Sequence, residues 1–273
     1  MCPRACRANP EGGSGTVYID THCHLEMVEG QFPHDVVARA REAGVDTMVT
    51  VGVDLASSAE SVQTASAVPV VWAVVGIHPH NAIEATDAVL AHLRQLAGHP
   101  RVVGIGETGL DYYRDHSPRD EQRAAFEAHI ELATALDKTL VIHCRDAHDD
   151  VLDILDAAGA PERTVFHCFS GDIEFAKRCA DHGWYLSFAG TVTFRNAPEL
   201  RAAAASVPPE LLLTETDAPY LSPHPHRGQT NEPARIPLVA AALAEQHGMT
   251  PEQMGQLTSA NARRAFALPA EAA

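Results

Sequence analysis

The feature that most limits the possible folds is an alternation of strand-like runs with longer helical patterns, which continues through most of the 273 residues. Short runs rich in β-branched residues predict strands, and helical spacing of apolar residues predicts the helices between them. The predicted strands cover residues 16–21, 46–51, 70–75, 101–106, 139–142, 163–166, 184–188 and 211–214. The predicted helices cover residues 34–43, 55–67, 86–97, 118–136, 146–157, 172–181, 196–205 and 234–247, and a last helix begins at Thr250.

Strands that each precede a helix predict an α/β fold, a (β/α)8 TIM barrel with an additional C-terminal helix. The alternative is a doubly wound open sheet, which is expected to carry a glycine-rich nucleotide-binding loop after its first strand. The residues at that position (22–26) read His-Cys-His-Leu-Glu, which favours the barrel. We predict a single barrel domain over residues 16–268, preceded by a disordered extension over residues 1–15.

The net charge of −16 argues against a broad basic surface that grips nucleic acid by its phosphates. It does not exclude a phosphodiester substrate, because bound cations can supply positive charge locally. The N-terminal residues lack the apolar stretch of a secretory signal, and no apolar run approaches the roughly 18 residues of a membrane span. We expect a cytoplasmic protein with no membrane association and no obligate protein partner.

Two histidines, His22 and His24, stand where the first predicted strand ends. Alternate residues of an extended chain point to the same face, so both imidazoles leave the strand on one side, as a metal ion requires. The alternative is a pair of polar loop histidines, since the chain contains 16 histidines. The ends of the other predicted strands favour the metal, because they supply further ligand types.

Catalytic groups of a TIM barrel gather at the C-terminal ends of its strands, and polar residues stand at or near these ends in this chain. They are His22, His24, His78, Glu107, His143, His167 and Asp217. Imidazole and carboxylate ligands without thiolate suit zinc, manganese, cobalt or magnesium-like ions. His78 is expected near the site and not among its ligands. The other six residues are too many for one tetrahedral site with an open position, and they fit two ions that share a bridging group.

Two of the carboxylates have alternative assignments. Glu107 is long enough to bridge two ions, but it could also be a buried acid that accepts hydrogen bonds from loop amides. Glu215 competes with Asp217 as the ligand after the last strand, and the Ala-Pro turn that follows Asp217 favours Asp217.

Three cysteines, Cys23, Cys144 and Cys168, each directly follow a candidate ligand histidine. In a strand, the neighbour of an inward-pointing residue faces outward. We therefore expect these cysteines to pack between the strands and the outer helices as small apolar residues. Thiolate ligation of a metal is the alternative.

Several motifs follow one another in the order of a known family. They are Asp20–Leu25, Gly76–His80, Gly104–Tyr112, His143–Ala147, His167–Gly171, Thr214–Tyr220 and Asn261–Phe266. Together they resemble the TatD family of metal-dependent deoxyribonucleases, within the amidohydrolase-like group of TIM barrels. The resemblance implies two divalent metal ions per chain, from among Zn, Mg, Mn, Co and Ni. It also implies hydrolysis of DNA phosphodiester bonds, most simply from the 3′ end of a single strand.

The resemblance further implies a role for each residue. The ligands implied for the first ion are His22, His24, Glu107 and Asp217; those implied for the second are Glu107, His143 and His167. Glu107 and Asp217 are the implied catalytic residues, with Asp217 accepting the proton of the attacking water. The residues implied in the substrate groove are His78, Arg145 and Arg227. The family often has two more basic residues in the loop 227–233, so this rim offers fewer contacts to long DNA.

Two other functions stay open. The first is an amidohydrolase of small esters, lactones, amides or phosphotriesters. Many such enzymes bridge their ions with a carboxylated lysine, but Lys138 precedes the fifth strand and Lys177 lies in a helix. The lysine-bridged form is therefore excluded, and a glutamate-bridged form stays open. The resemblance also allows such an enzyme to remove an aminoacyl group from tRNA. The second is a non-enzyme that stores metal or binds a partner, which predicts no turnover with any metal.

Overall fold

The computed structural model describes residues 17–28 and 31–269, so the predicted extension over residues 1–15 lies outside the described part. Within that part, eight parallel strands pair in chain order. The strands are β1 (Tyr18–Cys23), β2 (Val45–Val51), β3 (Val71–Val75), β4 (Val102–Asp111), β5 (Thr139–Arg145), β6 (Thr164–Phe166), β7 (Tyr185–Phe188) and β8 (Leu212–Thr214). The helices are α1 (Pro33–Glu42), α2 (Leu55–Ala67), α3 (Asp87–Ala97), α4 (Arg119–Ala135), α5 (His148–Ala158), α6 (Ile173–Asp181), α7 (Pro198–Ser206), α8 (Ile236–His247) and α9 (Pro251–Ala265). The predicted (β/α)8 barrel with an additional C-terminal helix is confirmed.

The barrel closes at the end where its strands finish. The segment after β8 lies against β1, where the Asp217 amide donates to the His22 carbonyl at 2.9 Å and the His24 amide donates to the Ala218 carbonyl at 2.7 Å. Cys23 and Ala218 form a parallel bridge between the same two segments. The closure therefore joins the two chain segments that carry His22, His24 and Asp217.

Apolar side chains fill the interior of the barrel towards the other end. They are Ile19, Val49, Val51, Val74, Val103, Val141, Val165 and Leu213. The C-terminal helix closes that end, because Phe266 belongs to the same cluster and the Thr139 hydroxyl donates to the Ala265 carbonyl at 2.6 Å. A second apolar cluster lies between the strands and the outer helices. Polar side chains are thereby left to the C-terminal ends of the strands. No helix in the described part of the chain is long and apolar enough to cross a membrane.

The strands β4 and β5 run further than predicted, to Asp111 and Arg145 instead of residues 106 and 142. Their pairing shifts register between Ile105 and Thr108, where one strand accommodates extra residues. The two backbones then approach so closely that a Cβ at Gly109 would lie 2.1 Å from the His143 carbonyl oxygen. The extension places Glu107 inside a strand and carries Asp111 to the mouth of the barrel.

Candidate metal centre

The two histidines of β1 and the aspartate that follows β8 form one side of the site. His22 and His24 are buried, with their ring centroids 5.0 Å apart in an edge-to-face arrangement. The Asp217 Oδ1 atom lies 3.5 Å from His24 Nε2 and 3.9 Å from His22 Nε2. Asp217 has a left-handed backbone with φ of 54°, which aspartate and asparagine adopt more readily than most residues. The sequence prediction brought these three residues together, and the structure places them together.

Glu107 lies in the middle of the site and divides the imidazoles into two sets. Its Oε2 atom is 3.4 Å from His22 Nε2 and 3.8 Å from His24 Nε2. Its Oε1 atom is 2.7 Å from His167 Nε2 and 2.9 Å from His143 Nδ1. Oε1 also lies 3.3 Å from His78 Nε2. The two oxygens therefore face different sets of ring nitrogens, which is the geometry that a carboxylate shared between two cations requires.

The ring nitrogens on the first side fit a cation. Both nitrogens of His22 are buried and lack a hydrogen-bond partner among the described residues. The Nδ1 atom of His24 lies 2.7 Å from the Val51 carbonyl, which only accepts, so Nδ1 carries the proton in the neutral ring. The Nε2 lone pair of His24 then faces the oxygens of Glu107 and Asp217, and a positive group between them is needed to make that arrangement favourable.

The second side contains a carboxylate that the sequence reasoning missed. Asp111 Oδ2 lies 3.3 Å from His143 Nε2 and 2.8 Å from His80 Nε2. This contact holds the ring proton of His143 on Nε2, so that the lone pair of Nδ1 faces Glu107. Carboxylates that accept a hydrogen bond from a metal-bound histidine orient its ring in the same way. A signal existed in the sequence, because Asp111 lies four residues beyond Glu107 and an even spacing in a strand returns to the same face.

Glu215 lies behind His167 at the second side. The Glu215 Oε1 atom accepts a hydrogen bond from the Cys168 amide at 2.6 Å and lies 3.5 Å from His167 Nδ1. His167 stacks on His22 with the ring centroids 4.0 Å apart. Among residues 17–28 and 31–269, three compact groups could hold an ion: His22 with His24 and Asp217, His78 with Glu107 and His143, and His22 with His167 and Glu215.

His78 carries its ring proton on the nitrogen that faces Glu107, whereas His24 and His143 carry theirs on the nitrogen that faces away from it. Its Nδ1 atom accepts a hydrogen bond from the His80 amide at 3.0 Å, so the proton of the neutral ring is on Nε2, which lies 3.3 Å from Glu107 Oε1. Burial lowers the pKa of His78 to about 4 against the opposing effect of Glu107. A neutral Nε2–H group is a hydrogen-bond donor, which suits contact with a substrate oxygen better than ligation.

The charges of the site are coupled. Burial opposes ionisation of Glu107, but the surrounding imidazoles, led by His167, outweigh it and hold the pKa of this carboxyl well below its usual value. Burial would lower the pKa of His167, but Glu107 raises it well above the usual value. The pKa of His24 is raised in the same way, because contact with Asp217 outweighs burial. In the absence of metal, protons on these nitrogens balance the carboxylates, and divalent cations would compete for the same atoms.

A buried aspartate, Asp20, ties together the two chain segments that form the first side of the site. Asp20 accepts hydrogen bonds from the Thr216 amide at 3.0 Å, the Thr216 hydroxyl at 2.5 Å and the His22 amide at 3.2 Å. Burial raises the pKa of Asp20 to about 8, although the Thr216 hydrogen bonds oppose the shift. Its contacts fix the relative position of His22 and the residue before Asp217.

The site opens into a cavity of about 660 Å³. Arg145, at the end of β5, lines this cavity together with His78, and their predicted contact with substrate stays a prediction. Arg227 is not among the described residues that line it, and its guanidinium lies 3.7 Å from the ring centroid of Phe194. Its role in the substrate groove stays a prediction. Tyr220, which is 53% exposed, lines the cavity on the side of β1 and β8.

The prediction that the three cysteines pack against the outer helices is correct for Cys23, correct in part for Cys144 and wrong for Cys168. Cys23 is fully buried in the outer cluster, and its Sγ lies 3.4 Å from the Val49 carbonyl. Cys144 packs partly against that cluster but also lines the cavity. Cys168 lines the cavity because β6 ends at Phe166 and the backbone at Cys168 is left-handed, with φ of 43°. The alternation of a strand therefore does not extend to Cys168.

A TIM barrel that gathers buried imidazoles and carboxylates at the C-terminal ends of its strands has the architecture of a metal-dependent hydrolase. Comparison with known proteins narrows the class. The family model for TatD related DNase matches residues 19–267. The chain therefore belongs to the TatD family and is a metal-dependent hydrolase.

The relatives span this chain almost completely. An uncharacterized metal-dependent hydrolase TatD of Mycobacterium tuberculosis (strain ATCC 25618 / H37Rv) is 46% identical over 258 residues, with 92% of this chain and 98% of that protein covered. A 3′-5′ ssDNA/RNA exonuclease TatD of Cronobacter turicensis is 39% identical over 251 residues, with 89% and 95% covered. The crystal structure of YJJV, a TatD homolog from Escherichia coli K12, superposes with a TM-score of 0.86 at 30% identity, with 92% and 98% covered.

Proposed function

We propose that this protein hydrolyses phosphodiester bonds of DNA and removes nucleotides from the 3′ end of a single strand. The observation that carries the proposal is the carboxylate of Glu107, whose two oxygens face two separate sets of imidazole nitrogens. Such a centre suits two divalent ions and in-line displacement at phosphorus. The relative named as a 3′-5′ ssDNA/RNA exonuclease, 39% identical to this chain, supports the same substrate class.

The ligand assignment is part of the proposal. One ion would be held by His22, His24, Glu107 and Asp217, and the other by Glu107, His143 and His167. The donors are imidazole nitrogen and carboxylate oxygen, and this combination suits Zn, Mn, Co or Ni better than Mg. Asp111 and Glu215 would hold the two imidazoles of the second side in position from behind.

The local charge favours a phosphate in spite of the acidic chain. Two divalent cations with the carboxylates of Glu107 and Asp217 would leave the site positive. Much of the diffuse net charge of −16 is screened, because the Debye length is about 8 Å at physiological ionic strength. Arg145 adds a further positive group to the cavity wall.

The side chains have distinct tasks in the proposed reaction. Bound ions would lower the pKa of a water molecule towards 7 and neutralise the phosphate oxygens. Asp217, which is 9% exposed at the base of the cavity, would accept the proton of the attacking water and pass it to solvent or the leaving oxygen. The Nε2–H group of His78 would donate to a phosphate oxygen, and Arg145 would pair with the phosphate.

A digestion experiment tests the proposal. The protein, depleted of metal and then supplied with each ion separately, is incubated with a 5′-labelled single-stranded oligonucleotide beside a panel of esters and lactones. We expect a ladder that shortens from the 3′ end and is prevented by a 3′-terminal inverted nucleotide. Hydrolysis of the small esters with the DNA left intact would replace the proposal with a glutamate-bridged small-molecule hydrolase.

A further inference from the structure

The rim of the cavity carries an exposed aromatic ring. Tyr113, two residues after the end of β4, is 59% exposed. The guanidinium of Arg145, the last residue of β5, lies 4.0 Å from the centroid of the Tyr113 ring. Because Arg145 also lines the cavity, this rim pair of Tyr113 and Arg145 extends from the cavity to the outer surface.

A second arginine–tyrosine pair in the same molecule shows what a structural role looks like. Arg119 lies 4.0 Å from the ring centroid of Tyr112, the same separation as in the rim pair. Arg119 also forms an ion pair with Asp115 at 3.2 Å, and the Tyr112 hydroxyl donates to Asp150 at 2.6 Å. The polar groups of this outer pair are therefore occupied within the protein.

The rim pair has no such partners. Among the described residues, no carboxylate lies within ion-pairing distance of the Arg145 guanidinium, and the same holds for Arg114, which also lines the cavity. The Arg145 guanidinium packs on the Tyr113 ring and that of Arg114 lies further away, 5.5 Å from the same centroid, while more than half of the Tyr113 surface stays exposed. A free cation beside a free aromatic face can bind a group that has both a negative charge and a flat ring.

The rim pair is also held in place before any ligand arrives. The Asp111 Oδ1 atom accepts hydrogen bonds from the Tyr113 amide at 3.0 Å and from the Arg114 amide at 2.8 Å. The other oxygen of the same carboxylate contacts His80 and His143. The turn that presents Tyr113 is thus tied to the candidate metal centre, which lowers the entropy lost on binding.

We propose that Tyr113 and Arg145 form a subsite for one nucleotide of the single strand, next to the nucleotide that is cleaved. The base stacks on the exposed face of Tyr113, and the phosphate that links this nucleotide to the cleaved one pairs with Arg145. This subsite rests on the proposed function and makes it more specific. It selects single strands, because the faces of a base in a duplex are already covered, and it tolerates sequence, because every base has an aromatic face.

The test measures the coupling between the Tyr113 ring and each base of a bound strand. The probe is a fluorescein-labelled oligo(dT) with phosphorothioate linkages that resist cleavage, and binding to the metal-loaded protein is followed by anisotropy. A series of probes lacks one base at a time. For the wild type, we expect removal of one particular base to weaken binding by about 5- to 140-fold, the range for base–aromatic stacking.

In the Tyr113→Ala protein, removal of that same base should have no further effect, while removal of the others keeps its effect. Tyr113→Phe keeps the ring and should retain the coupling. Arg145→Met should reduce the slope of log affinity against log salt by about 0.7, the value for one phosphate contact in a single strand. Arg119→Met removes the matched outer arginine and should leave both measurements unchanged.

The possible results separate the subsite from the proposed function. A wild type that cleaves and binds single-stranded DNA but shows the same base dependence as Tyr113→Ala at every position would overturn the subsite alone. A wild type that neither binds nor cleaves single-stranded DNA would overturn the subsite and the proposed function together.

Discussion

Replacing Asp217 with asparagine should separate metal binding from proton transfer. Asparagine has the same size and keeps one oxygen that can face the nitrogens of His24 and His22, which lie 3.5 and 3.9 Å from Oδ1. It also adopts the left-handed backbone of this position, φ of 54°, with little strain. The hydrogen bonds of the backbone, from the Asp217 amide to the His22 carbonyl and from the Tyr220 amide to the Asp217 carbonyl, do not depend on the side chain.

We therefore expect the substitution to slow the hydrolysis step and to leave folding and metal binding largely unchanged. Burial opposes ionisation of Asp217, but the hydrogen bond with His24 and the charges of nearby histidines outweigh it and lower the pKa. The carboxylate is thus ionised at neutral pH and available as a base, whereas an amide is not basic. General base catalysis contributes roughly 10²–10⁴ in rate, so we expect at least about a hundredfold slower cleavage, or about 2.7 kcal/mol in the barrier.

The assay is single-turnover cleavage of a DNA oligonucleotide at saturating metal, with the metal content and oligonucleotide affinity of Asp217→Asn measured on the same preparation. We expect most of the metal and the DNA affinity to be kept. Glu215→Gln serves as the comparison, because Glu215 is fully buried and accepts the Cys168 amide instead of facing the cavity. Near-native cleavage by Asp217→Asn would refute the assignment of Asp217 as the base.

Three further predictions concern the metals and stability. Glu107→Ala should lower the metal content below one ion per chain because both sites lose a ligand, whereas His143→Ala should weaken mainly one site; two tightly bound ions in Glu107→Ala, by elemental analysis, would contradict this. Removal of metal with a chelator should abolish activity but preserve the circular dichroism of the barrel, since the apolar clusters do not include the ligands; retained activity would refute metal dependence. Burial lowers the pKa of His129 from 6.5 to about 4, while the Ala125 carbonyl opposes the shift. The unfolded chain therefore takes up a proton at higher pH than the folded protein does, and the wild type should lose roughly 3 kcal/mol of stability between about pH 6.5 and 4. His129→Gln, which keeps an acceptor for the Ile77 amide, should lack this part of the loss. If denaturant unfolding gives the same fall in the free energy of unfolding between about pH 6.5 and 4 for the wild type and the variant, the prediction is contradicted.

The sequence was sufficient for the barrel because hydrophobic periodicity and strand-end residues repeat eight times with few exceptions. His22 and His24 could be located because they lie at the end of β1, where side-chain direction follows from the strand. Asp217 was located by its position shortly after the last strand, although its left-handed backbone lies three residues beyond the end of β8. The sequence reasoning also favoured Asp217 over Glu215, and the structure places Glu215 behind His167 instead of on the cavity.

The features that the sequence did not predict depend on contacts between segments. The length of β4 was underestimated because its register shift against β5 depends on the close approach at Gly109. Asp111 lies beyond the predicted end of this strand at residue 106, and its contacts with His80 and His143 were not predicted. The position of Cys168 in the cavity depends on a left-handed backbone after a short strand, which no periodicity reveals.

The most direct test of the two-ion centre is a crystal structure of the metal-loaded protein with anomalous diffraction data at the absorption edge of the bound metal. We predict two peaks, about 3.5–4 Å apart, one on each side of the Glu107 carboxylate. The first should lie against His22, His24 and Asp217, and the second against His143 and His167. A single peak, or a peak held by His22, His167 and Glu215 with Glu107 unligated, would contradict the proposal that Glu107 bridges two metal ions.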